Sequence, residues 1–248
     1  MTFLPSLMAF PYGEVSTVGG YGPYQTGSGG EFTLSIVTGT GEQGALITTG
    51  TGLGSTWSFY APVARDQYGS GQPNIQTFCV EGAEHIYPDT AYDVTTGTYT
   101  RYTGTELTVG AAWLYFEFAT GQLSYNYGAG RTTSADQLQR TIWALMGQEG
   151  QTLANTATDP YTIMVLSEFG SSDPTLDTGA FAPNGSQYPV SVLRLWAHGD
   201  VGNEYAPNAM QDQLILTADP PVPDGGMTVA LLGMALTGLG VVSRKIRK

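Results

Sequence analysis

The feature that most constrains the fold lies at the C-terminal end, where an apolar run is followed by basic residues. Residues 227–242 contain no charged side chain and are rich in Leu, Val, Ala and Gly. The run is near the short end of the roughly 17–25 residues that a transmembrane helix needs, and with Ser243 it forms the predicted helix 227–243. The basic end, 244–248, contains Arg244, Lys245, Arg247 and Lys248. By the positive-inside rule this end stays in the cytoplasm, so the preceding residues are predicted to be exported.

A turn-forming segment stands directly before the apolar run. It contains Val222, Pro223, Asp224, Gly225 and Gly226, and such residues end a preceding fold. The order of turn motif, short apolar helix and basic end resembles the PEP-CTERM class of C-terminal sorting signals, in a variant that reads VPDGG. In that class an exosortase-type membrane enzyme recognises the motif, and the tail anchors the protein only until it is processed. An ordinary C-terminal anchor is the alternative, but it does not need the VPDGG element.

The composition before the tail is typical of strands joined by tight turns. The chain has 34 glycines and only 12% charged residues, about half the globular norm of roughly 25%, with many Thr and Tyr. We predict a mainly β domain of the α+β class over 29–218, sandwich-like or barrel-like and antiparallel, with an inserted helix pair. Residues 1–28 are predicted to be a leader remnant and an irregular segment, with a portion missing upstream, because no basic region begins them. Residues 219–226 form the linker and sorting motif.

The charge of the exported part excludes nucleic acid as a partner. All 21 acidic residues precede the apolar run. The bases before the run are five arginines, and there is no lysine among them: Arg65, Arg101, Arg131, Arg140 and Arg194. Such a surface repels nucleic acid and anionic lipid.

Hydrophobic periodicity predicts two helices. The first is the segment AAWLYFEFATG, which ends at Gly121. The second covers 135–148, with Ser134 and Gln137 as a capping box. Strands are predicted at 31–37, at 74–80, as a pair within 87–103, in TIMVLSEF after Pro160, at 190–197 and at 212–218.

No cofactor or metal site is predicted. Residues 39–44 match the pattern G-x-G-x-x-G, but a β-branched, Gly-punctuated segment follows where nucleotide binding needs a helix. The two histidines, His85 and His198, have no metal-ligand spacing and form no Ser-His-Asp signature.

One cysteine and one glutamine form the strongest candidate for chemistry. Cys79 is the only cysteine, so no internal disulfide is possible. Gln139 lies at the edge of the apolar stripe of its helix, where its amide needs a partner. The sequences FCVE at 78–81 and QRTIW at 139–143 resemble the thioester domains of bacterial surface adhesins, and a set of PEP-CTERM proteins of undetermined role. The resemblance implies a Cys79–Gln139 thioester supported by Phe78, Glu81, Ile142 and Trp143.

A thioester between a cysteine and a glutamine side chain is chemically feasible. A thiolate is a strong nucleophile and can convert a neighbouring amide to a thioester with loss of ammonia, and burial protects the product from water. An amine on a surface ligand or an extracellular polysaccharide then forms a covalent bond. A free cysteine, however, is usually only a packed core residue. In that interpretation Gln139 bonds a strand edge and Trp143 belongs to the core.

Two other classes of function stay open beside the adhesin. A secreted hydrolase acting on polysaccharide needs a carboxylate pair, for which Glu81 with Glu84 or Asp173 with Asp177 are candidates. Among 21 acids such pairs arise easily by chance. The other class is a plain non-covalent binding protein. We predict a structural or adhesive role at the cell envelope or in the extracellular matrix, without enzymatic activity.

Overall fold

The structure is a computed structural model, and it describes residues 13–17, 22–26, 29–36, 60–64, 74–88, 90–170, 177–197 and 210–217. Contacts divide the chain into the units Met1–Ala218 and Asp219–Lys248. The second unit lies outside the described residues, and with it the predicted transmembrane helix. Among the helices that are described, none has the length and apolar character that crossing a membrane requires.

Eight strands are described, and six of them form one antiparallel sheet. In chain order they are β1 (Gly13–Thr17), β2 (Gln25–Thr26), β3 (Gly29–Gly30), β4 (Phe32–Ile36), β5 (Asn74–Thr77), β6 (Ala91–Gly97), β7 (Val190–Ala197) and β8 (Gln213–Leu216). The order across the sheet is β5-β4-β1-β6-β7-β8, and β2 pairs with β3 separately. The predicted antiparallel pairing is confirmed, within a fold of mixed α and β content.

The two edges of the sheet meet through the residues that follow β5. Cys79 forms an antiparallel bridge with Gln213 in β8. The N–H of Val80 donates to the carbonyl of Asp212 at 3.0 Å. The sheet therefore curves back on itself at this corner, and Cys79 is held between its two edges.

Three helices are described where the sequence predicted a pair: α1 (Val109–Ala119), α2 (Arg131–Met146) and α3 (Pro160–Phe169). Helix α1 confirms the first prediction, and Thr108 caps it by accepting a hydrogen bond from the Ala111 N–H at 3.3 Å. The strand predicted after Pro160 is wrong, because this segment is α3. Proline fits the first helical turn, and Tyr161 and Val165, one turn apart, are both buried.

The predicted start of α2 is wrong by about one turn. The helix begins at Arg131, with Gly130 at its N-cap, and Ser134 makes no cap. The Ser134 hydroxyl instead accepts from the N–H of Asn126 at 3.4 Å. The helix ends before Gly147, which adopts the left-handed conformation at φ 66°.

Strand boundaries follow the predictions to different degrees. Strand β7 begins and ends where it was predicted, whereas β5 ends at Thr77 and leaves Cys79 just outside it. Of the pair predicted within 87–103, only β6 is a strand, and it pairs with β1 and β7. Strand β1 lies in the segment predicted to be irregular, yet it stands between β4 and β6. The core is one cluster that joins the sheet to the helices.

Candidate functional site

The structure brings Cys79 and Gln139 together, although 60 positions separate them in the chain. The sulfur of Cys79 lies 3.3 Å from Oε1 of Gln139. The Cys79 N–H donates to the same oxygen at 3.1 Å, and Nε2 of Gln139 donates to the Cys79 carbonyl at 2.8 Å. Both residues are fully buried. The side-chain amide therefore has one defined orientation against the thiol.

Helix α2 carries Gln139, and a buried ion pair fixes the start of that helix. Arg131 contacts Glu31 through two hydrogen bonds, at 2.9 Å and 2.7 Å, and both side chains are almost completely buried. Tyr125 donates a further hydrogen bond to Glu31. Because Glu31 lies between β3 and β4, the pair ties the helix to the start of β4.

Gly29 lies against the side chains of Gln139 and Trp143, a role that the sequence analysis did not predict. A Cβ at Gly29 would lie 3.1 Å from Cγ of Gln139 and 3.1 Å from Cη2 of Trp143. The backbone of Gly29 has φ 101°, which favours glycine. The only sequence signal was a Gly-Gly pair before a strand, and that pattern is too common to be diagnostic.

A cavity of about 590 Å³ opens beside the thiol, and Cys79, Trp143, Gly82, His85 and Glu149 are among its lining residues. Cys79 nevertheless has no solvent-exposed area, so it lies behind the floor of the cavity.

The thiol of Cys79 is held in its protonated form. Burial raises its pKa well above the ordinary value, and the negative charges of Glu149 and Glu81 act in the same direction. The indole N–H of Trp143 acts to lower this pKa. That N–H is buried and donates no hydrogen bond among the described residues.

Three other residues of the two motifs, Phe78, Ile142 and Glu81, make contacts that stabilise the fold. Phe78 packs edge-on against Phe118, with ring centroids 5.0 Å apart, and Ile142 is buried in the core. Glu81 accepts hydrogen bonds from the N–H groups of Tyr102 and Thr103 at 3.1 Å and 2.8 Å. It therefore anchors the turn after β6 and does not line the cavity beside Cys79.

The carboxylates predicted for a hydrolase belong to a buried cluster around Arg101. Glu84 forms an ion pair with the guanidinium of Arg101 at 3.3 Å, and Asp212 accepts from the backbone N–H of Arg101 at 2.7 Å. Burial raises the pKa of Glu84, and it raises the pKa of Asp212 well above the usual range. Neither carboxylate lines the cavity beside Cys79. The sequence prediction missed both Arg101 and Asp212.

The remaining candidates are dispersed. Asp177 is exposed, whereas Asp173, His198 and the segment 39–44 lie outside the described residues. His85 is exposed at the cavity. In the part of the chain that the structure describes, no three His, Cys, Asp or Glu side chains are grouped to hold a metal ion.

Comparison with known proteins identifies the tail. A family model described as the VPDSG-CTERM motif matches residues 221–246, a range that includes the predicted turn motif. No curated protein and no solved structure matches the chain. The tail is a PEP-CTERM-like sorting signal. It indicates an exported surface protein that an exosortase-like membrane enzyme processes. The comparisons do not support the resemblance to thioester domains, which rests on its two short motifs.

Proposed function

We propose that the exported domain forms a Cys79–Gln139 thioester and uses it to attach covalently to an amine-bearing ligand at the cell surface or in the extracellular matrix. The observation that carries the proposal is the 3.3 Å separation of the Cys79 sulfur and the Gln139 oxygen. The role would be adhesive or structural, with amine-bearing proteins or polysaccharides as ligands.

Hydrogen bonds around the amide favour attack by sulfur. The Cys79 N–H donates to Oε1 of Gln139, the oxygen on which negative charge develops when the amide carbon is attacked. A fixed backbone donor at such an oxygen lowers the barrier to acyl transfer. The hydrogen bond from Nε2 to the Cys79 carbonyl keeps the amide from rotating away.

The proposed reaction is balanced without a cofactor. The Cys79 sulfur bonds to Cδ of Gln139, the Cδ–Nε2 bond breaks, and the thiol proton leaves with the nitrogen as ammonia. Because burial keeps the thiol protonated, this proton is available to the leaving group. A primary amine then attacks the same carbon, an amide forms, and the Cys79 thiol is regenerated.

Two further features favour a long-lived thioester. Both residues have no exposed area, which excludes bulk water from the acyl carbon. The chain before the sorting tail contains no lysine, so no side-chain amine of the domain itself can consume the bond. By contrast, the buried carboxylates contact Arg101 and backbone N–H groups, so polysaccharide hydrolysis is not proposed.

Intact-mass measurement of the purified exported domain, before and after methylamine treatment, tests the proposal. We expect a mass lower by one ammonia, a gain of one methylamine on treatment, and neither change in Cys79→Ala or Gln139→Ala. Gln137→Ala, on the same helix and partly exposed, is the matched control and should behave as the wild type. A wild-type mass equal to that of the unmodified chain, with one thiol titratable after unfolding, would overturn the thioester and leave a non-covalent surface protein.

A further inference from the structure

Glu149 stands at the cavity in an unusual backbone conformation. It follows the end of α2, has φ 53° although it is not glycine, and lines the cavity beside Cys79. Its carboxylate lies against the backbone of Gly82, where a side chain on residue 82 would collide with it. Glu149 and Cys79 line the same cavity, so the carboxylate and the thiol face a common space.

This carboxylate is available to an incoming cation. Glu149 is exposed, and among the described residues it forms no ion pair. The described lining of the cavity contains no arginine, and its other polar members include His85 and Gln211. A single negative charge therefore stands at the opening beside a fully buried thiol.

Primary amines are protonated at neutral pH, and an ammonium group cannot attack an acyl carbon until it loses a proton. A carboxylate can both attract the ammonium group and accept that proton. His85 is the other titratable side chain of the described lining. It carries either no charge or a positive charge, so it cannot attract a cation.

We propose that Glu149 binds the ammonium group of the incoming amine and takes the proton that this group must lose. The inference rests on the proposed thioester. Glu149 accepts one proton, and the free amine attacks Cδ of Gln139. The C–S bond then breaks, and the second proton from nitrogen goes to the sulfur of Cys79. The products are an amide and a thiol, and one proton is finally released to solvent.

A comparison of two nucleophiles tests whether Glu149 acts on the ammonium group or affects the site in general. Methylamine is a cation at neutral pH, whereas hydroxylamine is uncharged and needs no such acceptor. We expect Glu149→Gln to slow opening by methylamine roughly 100-fold and opening by hydroxylamine no more than about twofold. Glu149→Asp should recover part of the methylamine rate. Glu168→Gln removes an exposed carboxylate on α3 and should match the wild type with both nucleophiles.

Intact masses recorded before the amine is added show whether the thioester is present. They therefore distinguish a failure of the proposed function from a failure of the proposed role of Glu149. A wild type without ammonia loss overturns the proposed function, and the role of Glu149 with it. A wild type with ammonia loss, and Glu149→Gln rates equal to those of the wild type, overturns only the role of Glu149. Equal slowing with both nucleophiles, or no ammonia loss in Glu149→Gln alone, also overturns it, since Glu149 would then act on the bond itself.

Discussion

Two buried polar sites, one at Cys79 and one at Glu81, lie two positions apart in the chain. The first joins neutral groups and the second joins charged groups. At Cys79 the contact joins neutral groups, and the Gln139 amide uses both its oxygen and its nitrogen. At Glu81 the site is charged, with Glu84 and Asp212 around Arg101. Among the described residues, Oε2 of Glu81 and Oδ1 of Asp212 have no hydrogen-bond partner.

One short segment, residues 79–81, therefore contributes to two sites with different roles. A buried neutral contact costs little to maintain, and it leaves the thiol and the amide free to react with each other. In a buried charged cluster the carboxylates depend on the cation that compensates them, so the loss of that cation is expensive. The first arrangement is suited to chemistry and the second to anchoring the turn after β6. The predictions that follow separate these two purposes.

Arg101→Met should have the largest effect. The substitution leaves Glu84 buried without its cation, whereas Asp212 keeps its bond to the backbone N–H of residue 101. Removing one partner of a buried ion pair typically costs about 3–5 kcal/mol of unfolding free energy. Urea unfolding measures it. Arg194→Met is the control, because among the described residues the guanidinium of Arg194 bonds the Tyr99 carbonyl and lies over the Tyr99 ring at the surface. About 1 kcal/mol is expected. Similar losses in the two variants would show that the Arg101 cluster is not an anchor.

Gly29→Ala should have an intermediate effect and act on the neutral site. The substitution imposes an unfavourable φ and pushes a methyl group against Gln139 and Trp143, at an expected cost of about 1–3 kcal/mol. Gly104→Ala isolates the backbone contribution, since Gly104 has φ 67° and open space around it. We expect only Gly29→Ala to change the rate of methylamine reaction. Equal rates in the two variants would argue against Gly29 as the cover of the site.

Asp212→Asn should have the smallest effect, which is a change in how the unfolding free energy depends on pH. Burial raises the pKa of Asp212 in the folded state above its ordinary value of 3.8, so between these two values the folded protein binds more protons than the unfolded chain. Stability is therefore greatest at acidic pH and falls as pH rises through this window, by at most about 1.4 kcal/mol per pH unit. Asp212→Asn should flatten the decline of unfolding free energy with pH. Parallel curves for the two proteins would contradict the assignment.

Local sequence patterns correctly predicted the helices and strands whose formation depends mainly on residues that are neighbours in the chain. The buried segment of α1 and the alternation of β7 carry their own signals, and both predictions are confirmed. Helix α3 was missed because Thr162, Ile163 and Val165 are β-branched and favour strands in isolation. The packing of its buried face and the position of Pro160 outweighed that preference.

Long-range pairs explain the other errors. Helix α2 begins at Arg131 because Glu31, 100 positions away, holds that arginine, and no local pattern reports such a partner. The contact of Cys79 with Gln139 was expected only through a resemblance of motifs. Gly29, Glu149 and Asp212 could not be found, since their roles depend on which residues the fold brings against them.

The bridge between the two edges of the sheet has a consequence for the thiol after the proposed reaction. Strand β8 is the last described element before the sorting tail, and it is bonded to the segment that carries Cys79 through Gln213 and the carbonyl of Asp212. The bridge holds the Cys79 segment against β8 whether or not Cys79 is bonded to Gln139. In the proposed reaction the ligand is bonded to Gln139 on α2, and Cys79 is released. The regenerated thiol is therefore expected to keep its place after the ligand is bound.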